Sequence, residues 1–279
     1  MEVKEIMIED VVVIQDTDQI AYARNLMLKH GFSRLVVIDS KGIPVGIVTE
    51  KDIARKLRGN GAAWRKRPID KISIRRVMHN DLITVKPDTL VKYAVDSMLK
   101  NDISSLPVID GEELVGIITK SDLMKFYMDK FQSKWKVSEL MSSEVITVNE
   151  NHAITHVINI MEDNNIGRIV VMRDSEPIGI ITSENISFAD IEDPETGVSV
   201  EKVYFVRQTE GKDKKNVKMV SMLTAGDIMT NDLLKISKDD DASLAAKMMI
   251  ENDVSGIPVV ENDELAGIIT KTDIIEGIQ

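Results

Sequence analysis

Gly46-Ile-Val-Thr-Glu-Lys-Asp52, Gly116-Ile-Ile-Thr-Lys-Ser-Asp122, Gly179-Ile-Ile-Thr-Ser-Glu-Asn185 and Gly267-Ile-Ile-Thr-Lys-Thr-Asp273 are four versions of one heptapeptide. Upstream of each, across a polar turn, lies an extended run: Leu35-Val36-Val37-Ile38, Leu106-Pro107-Val108-Ile109, Ile169-Val170-Val171-Met172 and Ile257-Pro258-Val259-Val260. A helical pattern precedes each run and carries Met27, Met98, Met161 and Met249 in one column, a core position for a flexible apolar side chain. Before that stand Thr17, Asp88, Asn151 and Asp239, all residue types that cap helix N-termini, three positions after the strand ends Ile14, Val85, Val148 and Ile236. Each unit opens on a short polar stretch ending in Met7, Met78, Met141 or Met229. From that Met to the last motif residue the span is 45, 44, 44 and 44 positions, the extra one lying in the turn at Asp39–Gly42. Such regularity marks a repeat architecture.

Each unit reads strand–helix–strand–strand–helix, its second and third strands forming a hairpin. β-Branched enrichment between bounding Gly and Asp favours strand over buried helix. The expected fold class is α+β, with repeats over 1–60, 72–132, 133–192 and 222–279. A unit of about 45 residues cannot bury both faces of a three-stranded sheet, so the units are expected to pair.

The Gly-h-h-Thr stretch is a strand running into a helix, with Thr at the N-cap. Unpaired backbone N–H groups and the positive dipole end there suit phosphate. Thr-x-x-Asp is also close to a capping box, in which the two side chains satisfy backbone donors and bind nothing. Both readings stand on the spacing alone.

The four-fold pattern resembles the CBS domain, the family named for cystathionine beta-synthase, over about two-thirds of the chain. It is similar to archaeal four-copy proteins and to the gamma subunit of AMP-activated protein kinase. The resemblance implies that copies pair as Bateman modules, 1–132 and 133–279. It implies ribose hydroxyls on the motif Asp, and phosphates on basic residues just before the apolar run of the partner copy. Carried over by position, Asp122 with Thr119 faces Ser33, Arg34 and the strand at Ile14. Asp273 with Thr270 faces Gly167, Arg168 and the strand around Thr147. Asp52 with Thr49 faces Ser104, Ser105 and the strand around Thr84, and Asn185 with Thr182 faces Ser255-Gly256. Lys120 and Lys271 would add charge toward a nucleotide tail. The first two clefts join a carboxylate to an Arg and are expected to bind most tightly, Asp52 less so, and the Asn185 cleft to be degenerate. The implied function is non-catalytic sensing of AMP, ADP or ATP, with no cofactor, and a protein partner or a second copy of the chain receiving the signal. S-adenosylmethionine is the rival ligand, since the ribose is shared and only the tail differs.

Composition bounds the alternatives. Cysteine is absent, which removes disulfides and thiolate chemistry and fits a reducing compartment. No signal-peptide pattern or membrane-length apolar run is visible, so a cytoplasmic location is expected. The net charge of −11 disfavours a nucleic-acid coat. Residues 51–76, however, carry +8 against −19 for the remainder, which keeps open a scaffold that docks protein or nucleic acid through this linker. Residues 126–137 read as an amphipathic continuation of a helix, and 203–220 as a hairpin with a charged tip. His152 and His156 are expected as exposed helical side chains, and Asp239-Asp240-Asp241 as helix-terminal acids rather than a cation site. No nucleophile–base pair or phosphate loop emerges, so an enzyme is not expected.

Overall fold

The computed structural model describes residues 1–53, 71–188, 203–204, 220–221 and 223–279. The basic linker lies mostly outside the described residues, as does the charged tip of the hairpin. At the hairpin base, Val203–Tyr204 and Val220–Ser221 pair antiparallel. The chain divides into two compact units, one of Met1–Met141, Asp239–Gly256 and Ile269–Gln279, the other of Ser142–Lys238 and Ile257–Ile268.

The fold is α+β, with four copies of one small sheet. In the first copy β1 (Val13–Gln15) lies parallel to β2 (Arg34–Ile38), which lies antiparallel to β3 (Pro44–Thr49). The helix Ile20–His30 crosses between β1 and β2, and a second helix begins directly after Thr49. The second copy has the helix Val91–Lys100, β4 (Ser105–Asp110), β5 (Glu113–Thr119) and the helix Lys120–Lys130. Its first strand shrinks to one residue, Val85, bridged to Val108. β6 (Thr147–Asn149), β7 (Arg168–Arg173) and β8 (Glu176–Thr182) repeat the three-stranded order in the third copy, and β9 (Ile236–Ser237), β10 (Gly256–Glu261) and β11 (Glu264–Thr270) in the fourth. The extra residue of the first hairpin is absorbed by an Asx turn. Asp39 Oδ1 accepts from Lys41 N at 2.8 Å and Ile43 N at 2.9 Å, and Gly42 takes φ +83°.

The helix starts differ from expectation. Thr17, Asp88, Asn151 and Asp239 sit in the turns after the strands, and the N-caps are Gln19, Leu90, Ala153 and Asp241. The reason lies in another copy. Ile20 N donates to Ile72 O at 2.9 Å, Val91 N to Met1 O at 3.1 Å, Ile154 N to Leu223 O at 2.8 Å and Ala242 N to Trp135 O at 2.9 Å. The first N–H of each helix is thus taken by the lead-in segment of the paired copy, and a side-chain cap, where present, serves a later one, as Asp241 does for Ser243 N. This backbone bond fixes where each helix begins, also at Leu90 and Ala153, which give no side-chain cap.

The lead-ins also close the cores. Ile72, Ile74, Val77 and Met78 pack with Ile14, Met27, Leu35, Val37 and Val48 of the first copy. In the second unit Ala225, Ile228 and Met229 pack with Val148, Val157, Ile169 and Ile181. A further turn of backbone joins each lead-in to the paired copy's last strand: Ile8 to Ile117, His79 to Ile47, Ser142 to Ile268 and Thr230 to Ile180. The glycine that opens the heptapeptide makes room for this contact in the first three copies. A Cβ on Gly46 would stand 2.6 Å from the His79 carbonyl oxygen, on Gly116 2.6 Å from Met7 Sδ, and on Gly179 2.5 Å from Met229 Sδ.

The helix after β5 ends at Lys130 instead of continuing to residue 137. Ser133 takes φ +58° and donates its N–H to Asp241 Oδ2 at 2.6 Å, which turns the chain. Among the described residues no helix is long and apolar enough to cross a membrane.

Candidate functional site

Each heptapeptide places its Thr at the last strand position and its Asp or Asn one helical turn on. Thr119 and Thr270 are extended (φ −122° and −124°) and the next residue is already helical. The junction is anchored inside its own copy. Glu50 N donates to Ser33 O and Lys120 N to Ser104 O, both at 3.0 Å, Ser183 N to Gly167 O at 2.9 Å and Lys271 N to Ser255 O at 3.2 Å. The residues just before the apolar run are thereby held beside the helix start.

The capping box forms in all four copies. Asp52 Oδ2 accepts from Thr49 N at 2.9 Å and Oγ1 at 2.6 Å, and Asp122 Oδ2 from Thr119 N at 3.0 Å and Oγ1 at 2.7 Å. Asp273 Oδ2 accepts from Thr270 N at 2.6 Å. Asn185 Oδ1 does the same work with Thr182 N at 2.8 Å and Oγ1 at 3.0 Å. An amide therefore suffices for the cap. The charge on the three aspartates exceeds what the box needs, although Asp52 and Asp122 are only 8% and 6% exposed and a buried carboxylate is costly to keep.

Arg34 lies between the first two copies. Its Nη1 donates to Ser104 Oγ, and its Nη2 and Nε donate to Ser33 Oγ at 2.9 and 3.3 Å. Ser104 is the residue whose carbonyl holds Lys120, so hydrogen bonds link Arg34 to the start of the Asp122 helix. Burial pushes the Arg34 guanidinium below its ordinary value, with Glu50 partly offsetting. Ser105 is buried and pairs with Thr119 across the hairpin.

The motif lysines reach sideways. Lys120 Nζ donates to Thr272 Oγ1 at 2.7 Å and Lys271 Nζ to Ser121 Oγ at 3.2 Å, each to the residue beside the other copy's motif Asp. The helices Lys120–Lys130 and Lys271–Glu276 pack together there. Burial, and next the charge of Asp273, push the Glu276 carboxyl up, and Lys120 offsets part of this.

The remaining residues divide by exposure. Ile14 is 2% exposed, so its side chain belongs to the core and only its backbone could meet a ligand. Thr84 and Thr147 are exposed, the latter opening β6. In the second unit Gly167 and Arg168 precede and open β7, and Arg168 pairs with Thr182 across the hairpin. His152 and His156 are exposed with ring centroids 5.0 Å apart, and no cluster of potential metal ligands occurs among the described residues. Asp241 is a helix N-cap accepting from Ser243 N at 2.7 Å; burial pushes its carboxyl up, and hydrogen bonds from Ser243 and Ser133 outweigh this and hold it low. Within the basic linker, Arg75 Nε donates to the buried Asp16 Oδ2 at 2.9 Å.

One residue escaped the sequence reading. His79 Nε2 lies 2.9 Å from Asp52 Oδ1, the carboxylate oxygen that the box leaves over. Its signal was positional: His79 follows the opening Met, where the other copies have Ile8, Ser142 and Thr230.

Four paired strand–helix–strand–strand–helix copies, each with a Thr-x-x-Asp or Thr-x-x-Asn at its terminal helix, define a class of protein assembled from tandem repeats. The profile of the CBS domain matches residues 3–59, 74–129, 137–192 and 225–279, and the chain belongs to the CBS-domain family. Among its relatives is the uncharacterized protein MJ1404 of Methanocaldococcus jannaschii, 30% identical over 99% of this chain and 61% of its own length. Thus the chain spans less than two-thirds of that relative. Protein MJ1225 of the same organism is 24% identical over 95% of this chain and 94% of its own. Its crystal structure, described as that of a proposed archaeal homolog of g-AMPK, superimposes with a TM-score of 0.79 at 21% identity, covering all of both chains. Inosine-5'-monophosphate dehydrogenase of this organism is 32% identical over 43% of this chain, a match confined to 22% of that enzyme.

Proposed function

We propose that the protein is a non-catalytic regulatory sensor that binds adenine nucleotides, AMP, ADP or ATP, at its Thr-x-x-Asp helix starts. The observation that carries this reading is the surplus charge of the motif aspartates. Asn185 caps its helix as well as Asp122 does, so capping does not account for a carboxylate kept nearly buried. Vicinal ribose hydroxyls are donors that a carboxylate oxygen in such a place accepts strongly. Membership in the CBS family supports the same reading.

Asp122 has its second oxygen 4.0 Å from Lys125 Nζ, beyond hydrogen-bonding distance, and Arg34 sits by the start of its helix. Arg34 can exchange its serine partners for a phosphate, which suits its planar fork better. Whichever nucleotide binds one arrangement of the copies more tightly shifts the population toward it, and a protein partner or second copy reads that shift. The site of action is the cytoplasm, where these nucleotides are abundant.

Calorimetric titration with AMP, ADP, ATP and S-adenosylmethionine tests the proposal. Saturable heat with at least one adenine nucleotide is expected. Binding of S-adenosylmethionine alone would replace the nucleotide by a thionucleoside.

A further inference from the structure

We infer that His79 is a built-in competitor for the Asp52 cleft, so that a ribose binds there only by displacing the His79 imidazole from the Asp52 carboxylate. The inference rests on the nucleotide reading and deepens it, because it sets the order in which two clefts of the first unit fill.

Asp52 is spoken for on both oxygens. Oδ2 takes the Thr49 amide and hydroxyl, and Oδ1 lies 2.9 Å from His79 Nε2. Against a carboxylate oxygen, which only accepts, that ring nitrogen is the donor. The place His79 occupies is therefore the one a ribose hydroxyl would need.

Among the described residues no side chain hydrogen-bonds to the second oxygen of Asp122, whose ion pair with the exposed Lys125 spans 4.0 Å. The backbone register that seats His79 on the first copy, its bridge to Ile47, seats Ile8 on the second through its bridge to Ile117. Ile8 has no donor in its side chain. The two clefts share strand, turn, Thr and Asp, and differ at this register position by an imidazole against a butyl group.

The imidazole is placed to leave. Its side chain is 61% exposed, against 8% for Asp52, so little packing holds the ring apart from the one hydrogen bond. The backbone of His79 is fixed by reciprocal bonds with Ile47, N to O at 2.9 Å and O to N at 3.1 Å. A fixed backbone with an exposed ring allows rotation about the side-chain bonds without disturbing the pairing of the copies. Ligand entry then exchanges one charge-assisted hydrogen bond for another, and the ribose gains less at Asp52 than at Asp122, where no hydrogen bond is given up.

Adenosine is the probe, because it has the ribose and no phosphate to attract or repel an imidazole. The whole chain is titrated calorimetrically as wild type, His79→Ala, His79→Gln and Asp52→Asn, while the imidazole resonances of its four histidines are followed by NMR. His79→Ala is expected to tighten the weaker site about tenfold and leave the Asp122 site unchanged. His79→Gln, which can still donate to Asp52, should fall between. In the wild type, saturation of the weaker site should move the His79 resonances and leave those of His30, His152 and His156 in place. If adenosine binds at Asp122 but His79→Ala leaves the Asp52 site unchanged or weakens it, the inference is wrong while the nucleotide reading stands. Should adenosine and the adenine nucleotides bind none of these proteins, both fall together.

Discussion

At Asp122 the Thr119 amide and hydroxyl hold a carboxylate oxygen at 3.0 and 2.7 Å, and at Asn185 the Thr182 groups hold an amide oxygen at 2.8 and 3.0 Å. The third copy is thus a natural control for removing the charge and keeping the cap. Asp122→Asn should leave the thermal midpoint within about a degree and weaken nucleotide binding at that cleft about ten- to a hundredfold, read by calorimetry. Asn185→Ala should change the binding isotherm little. A second test concerns Tyr127, fully buried and with no hydrogen-bond partner for its hydroxyl among the described residues. Burial, then the charges of Asp241 and Glu139, push its phenol up to about 12. The folded state keeps this proton above the ordinary value of 10, so the stability that depends on it is complete below pH 10. It is lost as pH rises toward about 12, at roughly 1.4 kcal/mol per unit. Tyr127→Phe should lack this alkaline loss. At pH 7 its unfolding free energy in urea titrations should equal or exceed that of the wild type, by up to about 1 kcal/mol, because an unsatisfied hydroxyl is removed.

Among the elements, the contact of lead-in and last strand is the most constrained. The Cβ of Gly46→Ala would meet the backbone oxygen of His79 at 2.6 Å, whereas that of Gly116→Ala would meet the side-chain sulfur of Met7 at 2.6 Å and Ile8 O at 3.0 Å. A sulfur can swing aside and a hydrogen-bonded carbonyl cannot. Gly46→Ala should therefore be the more destabilising of the two, by about 1–3 kcal/mol in denaturant titrations, with Gly116→Ala milder. This contact also explains what sequence could and could not reveal. The hairpins, the buried Met column and the strand-to-helix step at Thr119 were legible, because local periodicity and turn chemistry decide them. The helix starts at Gln19, Leu90 and Ala153 were not, because a partner backbone, remote in sequence, takes the first helical N–H. At the site, the motif aspartates could be read from their spacing. The Asp52–His79 contact could not, since it joins residues 27 apart through a backbone register that no local pattern encodes.

For the molecule as a whole, ligand binding should appear as stability. One nucleotide at a hundredfold excess over its dissociation constant adds about 2.7 kcal/mol to the folded state that binds it. For a chain of this size that corresponds to several degrees in the melting midpoint, with AMP, ADP or ATP as ligand and calorimetric scanning as the readout. An unmoved midpoint at saturating concentrations of all three would count against the sensor reading. The exchange of lead-ins has a further consequence, for the order in which the chain is made. When the ribosome has released residues through Ile53, the first copy possesses its strands and its crossing helix but lacks Ile72, Ile74 and Met78, which complete its core. At about 5–20 residues per second these arrive on the order of seconds later. In that interval the first copy is a nascent segment with an open apolar side, an obvious client for a chaperone, and the smallest piece able to finish folding is two copies long.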